Sequence, residues 1–246
     1  MAPCVACGWE EADALSVGGA DAACAVCACS WHREEVAMLS RDALSALAEM
    51  DTIQPAFSVW DGGRREDSDG RAIGDIPLQP AEVSDGLFVG DLDDVANTER
   101  LCKLGIRFVL CLCPENLHDE YAALPAALAK ESIVFLSWPA RDHVTFDILE
   151  HVVRGGALDF VESGLRSAGV LVNCWGGVNR SASVAIAFMV LRRKVALVAA
   201  VRTAMARRGT VLTNRYFRFL LVKAAVDAGC QLREPERTGM DKMEES

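Results

Sequence analysis

Apolar residues fall along this chain in blocks whose lengths alternate. Short runs at 87–89, 108–113, 134–138 and 170–173 have the length of buried strands. Longer stretches with apolar positions every three or four residues, at 95–104, 121–129, 145–163, 181–192, 196–208 and 214–228, predict helices. Strands alternating with helices predict an α/β domain: a central, largely parallel sheet of about four or five strands flanked by helices. Ligands of such sheets bind beyond the carboxyl ends of the strands.

Upstream the pattern thins. Val36, Met38, Leu39, Ala43, Leu44, Leu47 and Ala48 keep helical spacing across 34–50, which predicts a short amphipathic helix able to dock on the main domain. Residues 61–70 are polar, glycine-rich and without period, and read as an exposed linker. The chain therefore divides into an acidic, cysteine-rich N-terminal region at 1–75, the main domain at 76–230 and a flexible acidic tail at 231–246.

With 246 residues, 51% of them hydrophobic, the chain can bury a core for one large domain and a small appendage. The net charge of −10 splits into −9 over 1–75, +1 over 76–230 and −2 over 231–246. The main domain is thus nearly neutral and does not repel an anionic substrate. No apolar run reaches the ~18 residues needed to span a bilayer, and no basic segment precedes an apolar core near the start, so neither a membrane span nor a secretory signal is expected.

The chemistry concentrates between Gly169 and Val190. Val170, Leu171 and Val172 suit a buried strand, and an apolar helix follows Ser181. Between them runs Cys174-Trp175-Gly176-Gly177-Val178-Asn179-Arg180-Ser181. A strand-to-helix loop gathers backbone N–H groups around a hollow, and the helix adds the positive end of its dipole, so the hollow suits an oxyanion. A helix N-terminus and a neighbouring cation also favour thiolate over thiol, which makes Cys174 a candidate nucleophile. Arg180 offers a planar fork for two phosphoryl oxygens, and Gly176 and Gly177 admit a close approach. Ser181 can donate a hydrogen bond to the sulfur. This set describes attack of sulfur on phosphorus and hydrolysis of a cysteinyl-phosphate. Spacing alone is a poor signal: Cys27 and Arg33 share it, but without glycine, a preceding strand or an apolar helix.

In that context Cys174 to Ser181 resembles the signature loop of cysteine-dependent protein phosphatases, and the flanks are most similar to the dual-specificity branch. The likeness covers residues 76–226. Val83-Ser84-Asp85-Gly86-Leu87-Phe88-Val89-Gly90 resembles the family's opening hairpin, and Leu104-Gly105-Ile106-Arg107-Phe108-Val109-Leu110 its next helix end and core strand. Phe135-Leu136-Ser137-Trp138-Pro139-Ala140-Arg141-Asp142 resembles the strand and loop bearing the general acid. The resemblance implies a protein phosphatase acting on phosphotyrosine and phosphoserine or phosphothreonine, with no cofactor for catalysis and with residues Trp175 to Arg180 cradling the phosphoryl group. It implies Asp142, 32 residues before Cys174, as general acid. Asp147 is the fallback, against a capping role, and His143 reads as a neighbour.

One position departs from the family. Asn173 stands where histidine usually precedes the nucleophile, which implies a weaker hold on the thiolate, although an amide can still bond the loop. The alternatives are a weakly active pseudophosphatase serving as an adaptor for phosphorylated proteins, and an RNA 5′-phosphatase, whose loops Asn179-Arg180 also resembles. Nucleic acid is otherwise not an expected partner. Trp175 to Asn179 carry no lysine, unlike the basic loops of relatives that act on phosphoinositides.

Three further features stay open. Cys4-x2-Cys7 and Cys24-x2-Cys27, sixteen residues apart and followed by Cys29 and His32, match a tetrahedral zinc site or a tail of free cysteines. Cys111 and Cys113 end a strand expected beside 170–173; they are either two small core residues or, Cys113 before Cys111, the partner of Cys174 in a disulfide under oxidation. Arg192, Arg193, Lys194, Arg202, Arg207 and Arg208 gather around one helix, to attract an acidic partner or to solvate helix ends, while Arg215 and Arg218 read as structural. A reduced nucleophile implies a cytoplasmic or nuclear setting.

Overall fold

Runs rich in valine and leucine become a single sheet in the computed structural model, which describes residues 38–53 and 80–234. Cys4, Cys7, Cys24, Cys27, Cys29 and His32 lie outside the described residues, as do the 61–70 linker and residues 235–246. The strands are β1 (Ala81–Ser84), β2 (Leu87–Gly90), β3 (Ile106–Cys111), β4 (Val134–Ser137) and β5 (Gly169–Asn173), in the order β1-β2-β5-β3-β4. β1 runs antiparallel to β2, and the other pairings are parallel. The expected sheet is thus borne out, with β1 as the strand that the apolar runs do not announce. Val170, Leu171 and Val172 are fully buried because β2 and β3 flank β5 on both edges. β4 is an outer strand, and its Val134 is exposed.

The helices are α1 (Arg41–Thr52), α2 (Leu92–Ala96), α3 (Thr98–Lys103), α4 (Leu124–Lys130), α5 (Leu158–Leu165), α6 (Arg180–Leu191), α7 (Leu197–Arg208) and α8 (Arg215–Asp227). Every residue of α6 from Arg180 to Val190 is buried, against β2, β5, α7 and α8, which explains a helix apolar on nearly all sides. Among the described residues no helix is long and apolar enough to cross a membrane.

Several predicted helices differ in extent. The 95–104 stretch is two helices, because Asn97 leaves helical geometry (ψ 71°) and turns its side chain to accept from Arg100 N at 3.1 Å, capping α3. The 145–163 stretch is a wide π-helical segment, Leu149–Ala157, running into α5; Gly156, at φ 111°, breaks the regular winding near the end of the first segment. Of the 34–50 stretch, residues 34–37 lie outside the described residues; the described helix is Arg41–Thr52, and Ser40 caps it by accepting from Ala43 N at 3.2 Å. Its Ala43, Ala46, Leu47 and Met50 are fully buried, at the i, i+3, i+4, i+7 spacing of a single face that packs on α7 and α8.

Ion pairs fasten α1 in place. Asp51 pairs with Arg218 and, at 3.7 Å, with Arg215; Glu49 pairs with Arg202 at 2.6 Å and Arg233 at 2.7 Å. Arg215 and Arg218 are therefore structural, as expected. Past α8 the chain stays engaged through Arg233: Leu232 is buried, Gln231 and Leu232 carbonyls accept from Leu197 N and Val198 N at 3.0 Å each, and Arg233 pairs with Glu49.

Candidate active site

β5 delivers the loop to the carboxyl end of the sheet, between the ends of β2 and β3. Cys174 N donates at 3.4 Å to the carbonyl of Gly90, the last residue of β2, and Leu112 N beyond β3 donates to Asn173 O at 2.9 Å. The loop's carbonyls are then taken by the surrounding fold. Trp175 O accepts from Leu92 N (3.4 Å), Gly176 O from Arg208 Nη2 (3.4 Å), Val178 O from Leu212 N (2.9 Å) and Asn179 O from Ser183 (2.9 Å to N, 2.8 Å to Oγ). Carbonyls fixed outward turn the N–H groups of the same peptide planes toward the hollow, the arrangement that binds oxyanions. Gly177 sits at φ 67°, and a Cβ there would meet Gly90 O at 2.8 Å, so a side chain is excluded on two counts.

Within the loop the predicted chemistry assembles. Cys174 is buried at 2% exposure, with its sulfur 3.3 Å from Ser181 Oγ. Arg180 opens α6 and is 8% exposed. Its Nη1 donates to Glu115 Oε1 (2.8 Å), Ala140 O (3.0 Å) and Leu112 O (3.4 Å). Among the described residues its buried Nε has no hydrogen-bond partner. Burial works against the guanidinium's charge, but the sulfurs of Cys174 and Cys113 and the Glu115 carboxylate outweigh it, and its pKa lies above the ordinary value. Trp175 is half exposed at the rim, edge-on to Tyr121 with centroids 6.4 Å apart, and Tyr121 Oη donates to Asp93 at 2.6 Å.

Asp142 comes to the loop on an exposed segment beyond β4. Its Oδ2 accepts from Asn179 Nδ2 and its Oδ1 from Asn214 Nδ2, each at 3.0 Å. Asp147 is placed otherwise: its Oδ1 accepts from Leu149 N (3.0 Å) and Glu150 N (2.8 Å), the capping role. His143 bonds Thr145 Oγ1 at 2.8 Å, a neighbour as read from the sequence.

Asn173 corrects one expectation. Its amide does not bond the loop: Nδ2 donates to Cys111 Sγ at 3.8 Å, and its buried Oδ1 has no partner among the described residues. The strand also ends at Cys111 rather than at Cys113, though both thiols are fully buried. A hydrogen bond from Cys113 pulls the Cys111 thiol below its ordinary pKa, and that same bond, then burial, pushes Cys113 up, with the charge of Cys174 adding to the effect.

Arg208 is the largest surprise. Read as one member of a surface basic cluster, it is 4% exposed, donating to Asp91 Oδ2 (2.8 Å), Asp94 Oδ2 (3.1 Å) and the loop carbonyl of Gly176. Two of its former companions are also paired, Arg192 with Asp159 at 2.5 Å and Arg202 with Glu49. Glu115, Asn214 and the Asp91–Asp94–Arg208 triad are site residues that sequence reasoning missed, because no local spacing joins them to the loop.

The family model for the dual specificity phosphatase catalytic domain matches residues 87–226. Dual specificity protein phosphatase 26 of Homo sapiens is 33% identical over 142 residues, covering 57% of this chain and 64% of that one. The Drosophila melanogaster dual specificity protein phosphatase MPK-4 is 32% identical over 174 residues, covering 68% of this chain and 41% of that protein. The chain thus spans just under two thirds of the length of the first of these relatives. The crystal structure of human DUSP28 superposes with a TM-score of 0.52 at 20% identity, over 63% of this chain and 98% of that one, a likeness of fold. With the family model covering more than half of its length, and with loop, sheet order and buried arginine in place, this chain belongs to the dual specificity phosphatase family.

Proposed function

We propose that this chain hydrolyses phosphotyrosine and phosphoserine or phosphothreonine in proteins through a cysteinyl-phosphate intermediate. The observation that carries this reading is Arg180: a buried guanidinium fixed by three acceptors at one nitrogen, with a buried Nε–H that has no hydrogen-bond partner among the described residues. A buried donor without a partner costs roughly 1–3 kcal/mol, which a bound phosphoryl oxygen would recover.

In the first step the Cys174 sulfur attacks phosphorus, the P–O bond to the leaving group breaks, and Asp142 gives that oxygen its proton. Loop N–H groups and Arg180 hold the charge on the equatorial oxygens. In the second step Asp142 takes a proton from the attacking water, phosphate is released, and Ser181 hydrogen-bonds the departing thiolate. No step calls for a cofactor. Turnover of p-nitrophenyl phosphate by the native chain and none by Cys174→Ser is the result expected; tight phosphopeptide binding with no turnover by the native chain would overturn the reading in favour of an adaptor.

On the same reading 76–230 is the catalytic unit with α1 docked on it, and the need for a reduced nucleophile assigns the chain to cytosol or nucleus. The paired cysteines Cys4, Cys7, Cys24 and Cys27 are a proposed structural zinc site, checked by metal analysis of the purified full chain.

A further inference from the structure

We infer that Asn179 is a positioning residue for proton transfer, an amide of the phosphate loop that fixes the Asp142 carboxyl to the group it must serve. The inference rests on Asp142 being the general acid, as proposed above.

Asn179 occupies the N-cap position of α6, where an Asn side chain ordinarily accepts from the first turn of its own helix. Here it makes no such bond. The side chain, on a residue only 9% exposed, is committed to tertiary contacts instead. Its Nδ2 donates to Asp142 Oδ2 and lies 3.0 Å from Thr213 Oγ1; its Oδ1 accepts from Asn214 N at 3.0 Å and lies 3.2 Å from Thr213 Oγ1. One planar amide thus ties three segments together: the loop after β5, the acid segment after β4, and the turn that opens α8. A local preference given up for a tertiary contact is the mark of a site under functional constraint.

The geometry explains why an amide serves. The nucleophile and the acid stand on loops that follow different strands, and misplacement by about 1 Å between them costs on the order of 100-fold in rate. Asn179 directly precedes Arg180, so its side chain moves with the residues that grip the phosphoryl group. Its donor reaches the carboxyl, and its acceptor is anchored on the Asn214 backbone, which holds the amide plane still. Asn214 Nδ2 holds the other carboxyl oxygen. A hydroxyl at position 179 has one heavy atom in place of the two through which the amide reaches Asp142 and the Asn214 backbone.

The test compares two aryl phosphates by kcat/KM, which reports only formation of the phosphoenzyme. Phenyl phosphate has a poor leaving group that needs an acid; 2,4-dinitrophenyl phosphate does not. Asp142→Asn should lower phenyl phosphate turnover about 100-fold or more and leave the dinitrophenyl ester within about threefold. Asn179→Ala, and Asn179→Ser should the first not fold, should lower the phenyl ester about 10- to 30-fold while sparing the dinitrophenyl ester, and should add nothing in the Asp142→Asn background. Equal losses on both esters, no loss on either, or losses that multiply those of Asp142→Asn would overturn the inference while leaving the acid assignment standing. No leaving-group selectivity in Asp142→Asn itself would overturn the acid assignment, and the inference with it.

Discussion

Cys174, Arg180 and Ser181 lie within eight consecutive residues, all are buried, and the helix behind them is packed along its length. Asp142 lies on an exposed segment after an outer strand and is held through residues 37 and 72 positions away. The proposed nucleophile side is therefore rigid by local construction and by core packing, whereas the carboxyl of the proposed acid is only as fixed as two amide contacts make it. Damage on the first side should abolish turnover of every substrate; damage on the second should sort substrates by how much they need a proton.

The hardest test of the rigid side is Cys174→Ser, expected to lower p-nitrophenyl phosphate turnover by about 10⁴-fold or more. Residual activity above about one part in a hundred would mean that the sulfur is not the nucleophile. Arg180→Lys comes next. An ammonium cannot hold Leu112 O, Ala140 O and Glu115 while presenting a planar fork to phosphate. The loss should be about 10²- to 10³-fold in kcat/KM, equal for phenyl and dinitrophenyl esters, since charge at phosphorus develops in both. A loss confined to the phenyl ester would erase the distinction between the two sides.

Glu115→Gln probes the seam between them. Its side chain is 54% exposed, and Arg180 Nη1 keeps two carbonyl acceptors without it. Turnover should fall only about three- to tenfold, the range of a solvent-screened contact to a charged group. A 100-fold loss in steady-state kinetics would show that the carboxylate, rather than the carbonyls, orients the arginine.

The same contrast explains what the sequence disclosed. The loop was legible because its chemistry is contiguous and its setting, an apolar strand before and an apolar helix after, has a visible period. Asp142 was reached through family resemblance, and nothing in its own neighbourhood foretold Asn179 or Asn214. Arg208 was misread because a string of arginines looks like a solvated face, while its partners Asp91, Asp94 and Gly176 lie 117, 114 and 32 positions away. A helix end was misjudged where a side chain competed with periodicity: Ser40 caps α1 after Met38, which fits the apolar pattern yet is 86% exposed. Packing that joins distant segments has no period, so it leaves no trace in spacing.

Arg208 also supplies the smallest effect on activity and a separate effect on stability. Asp94 is 5% exposed, and burial raises its carboxyl pKa from 3.8 to about 6 against the opposing pull of Arg208. The native state therefore binds this proton more tightly than the unfolded chain does. Stability from this group is complete below pH 3.8 and is lost as pH rises through about 6. Asp94→Asn keeps the shape and the acceptor for Asp91 N, which the carboxylate now holds at 3.0 Å, but does not titrate. The unfolding free energy of the variant relative to the native chain should thus move in the variant's favour by about 2–3 kcal/mol between roughly pH 4 and pH 7, read from urea melts at both. Turnover should change less than about threefold, because Arg208 keeps Asp91 and the Gly176 carbonyl and so still steadies the loop. A pH-independent difference would mean that Arg208 keeps Asp94 ionised throughout, and the loop would then rest on a permanent buried ion pair rather than on a carboxyl that titrates near neutrality.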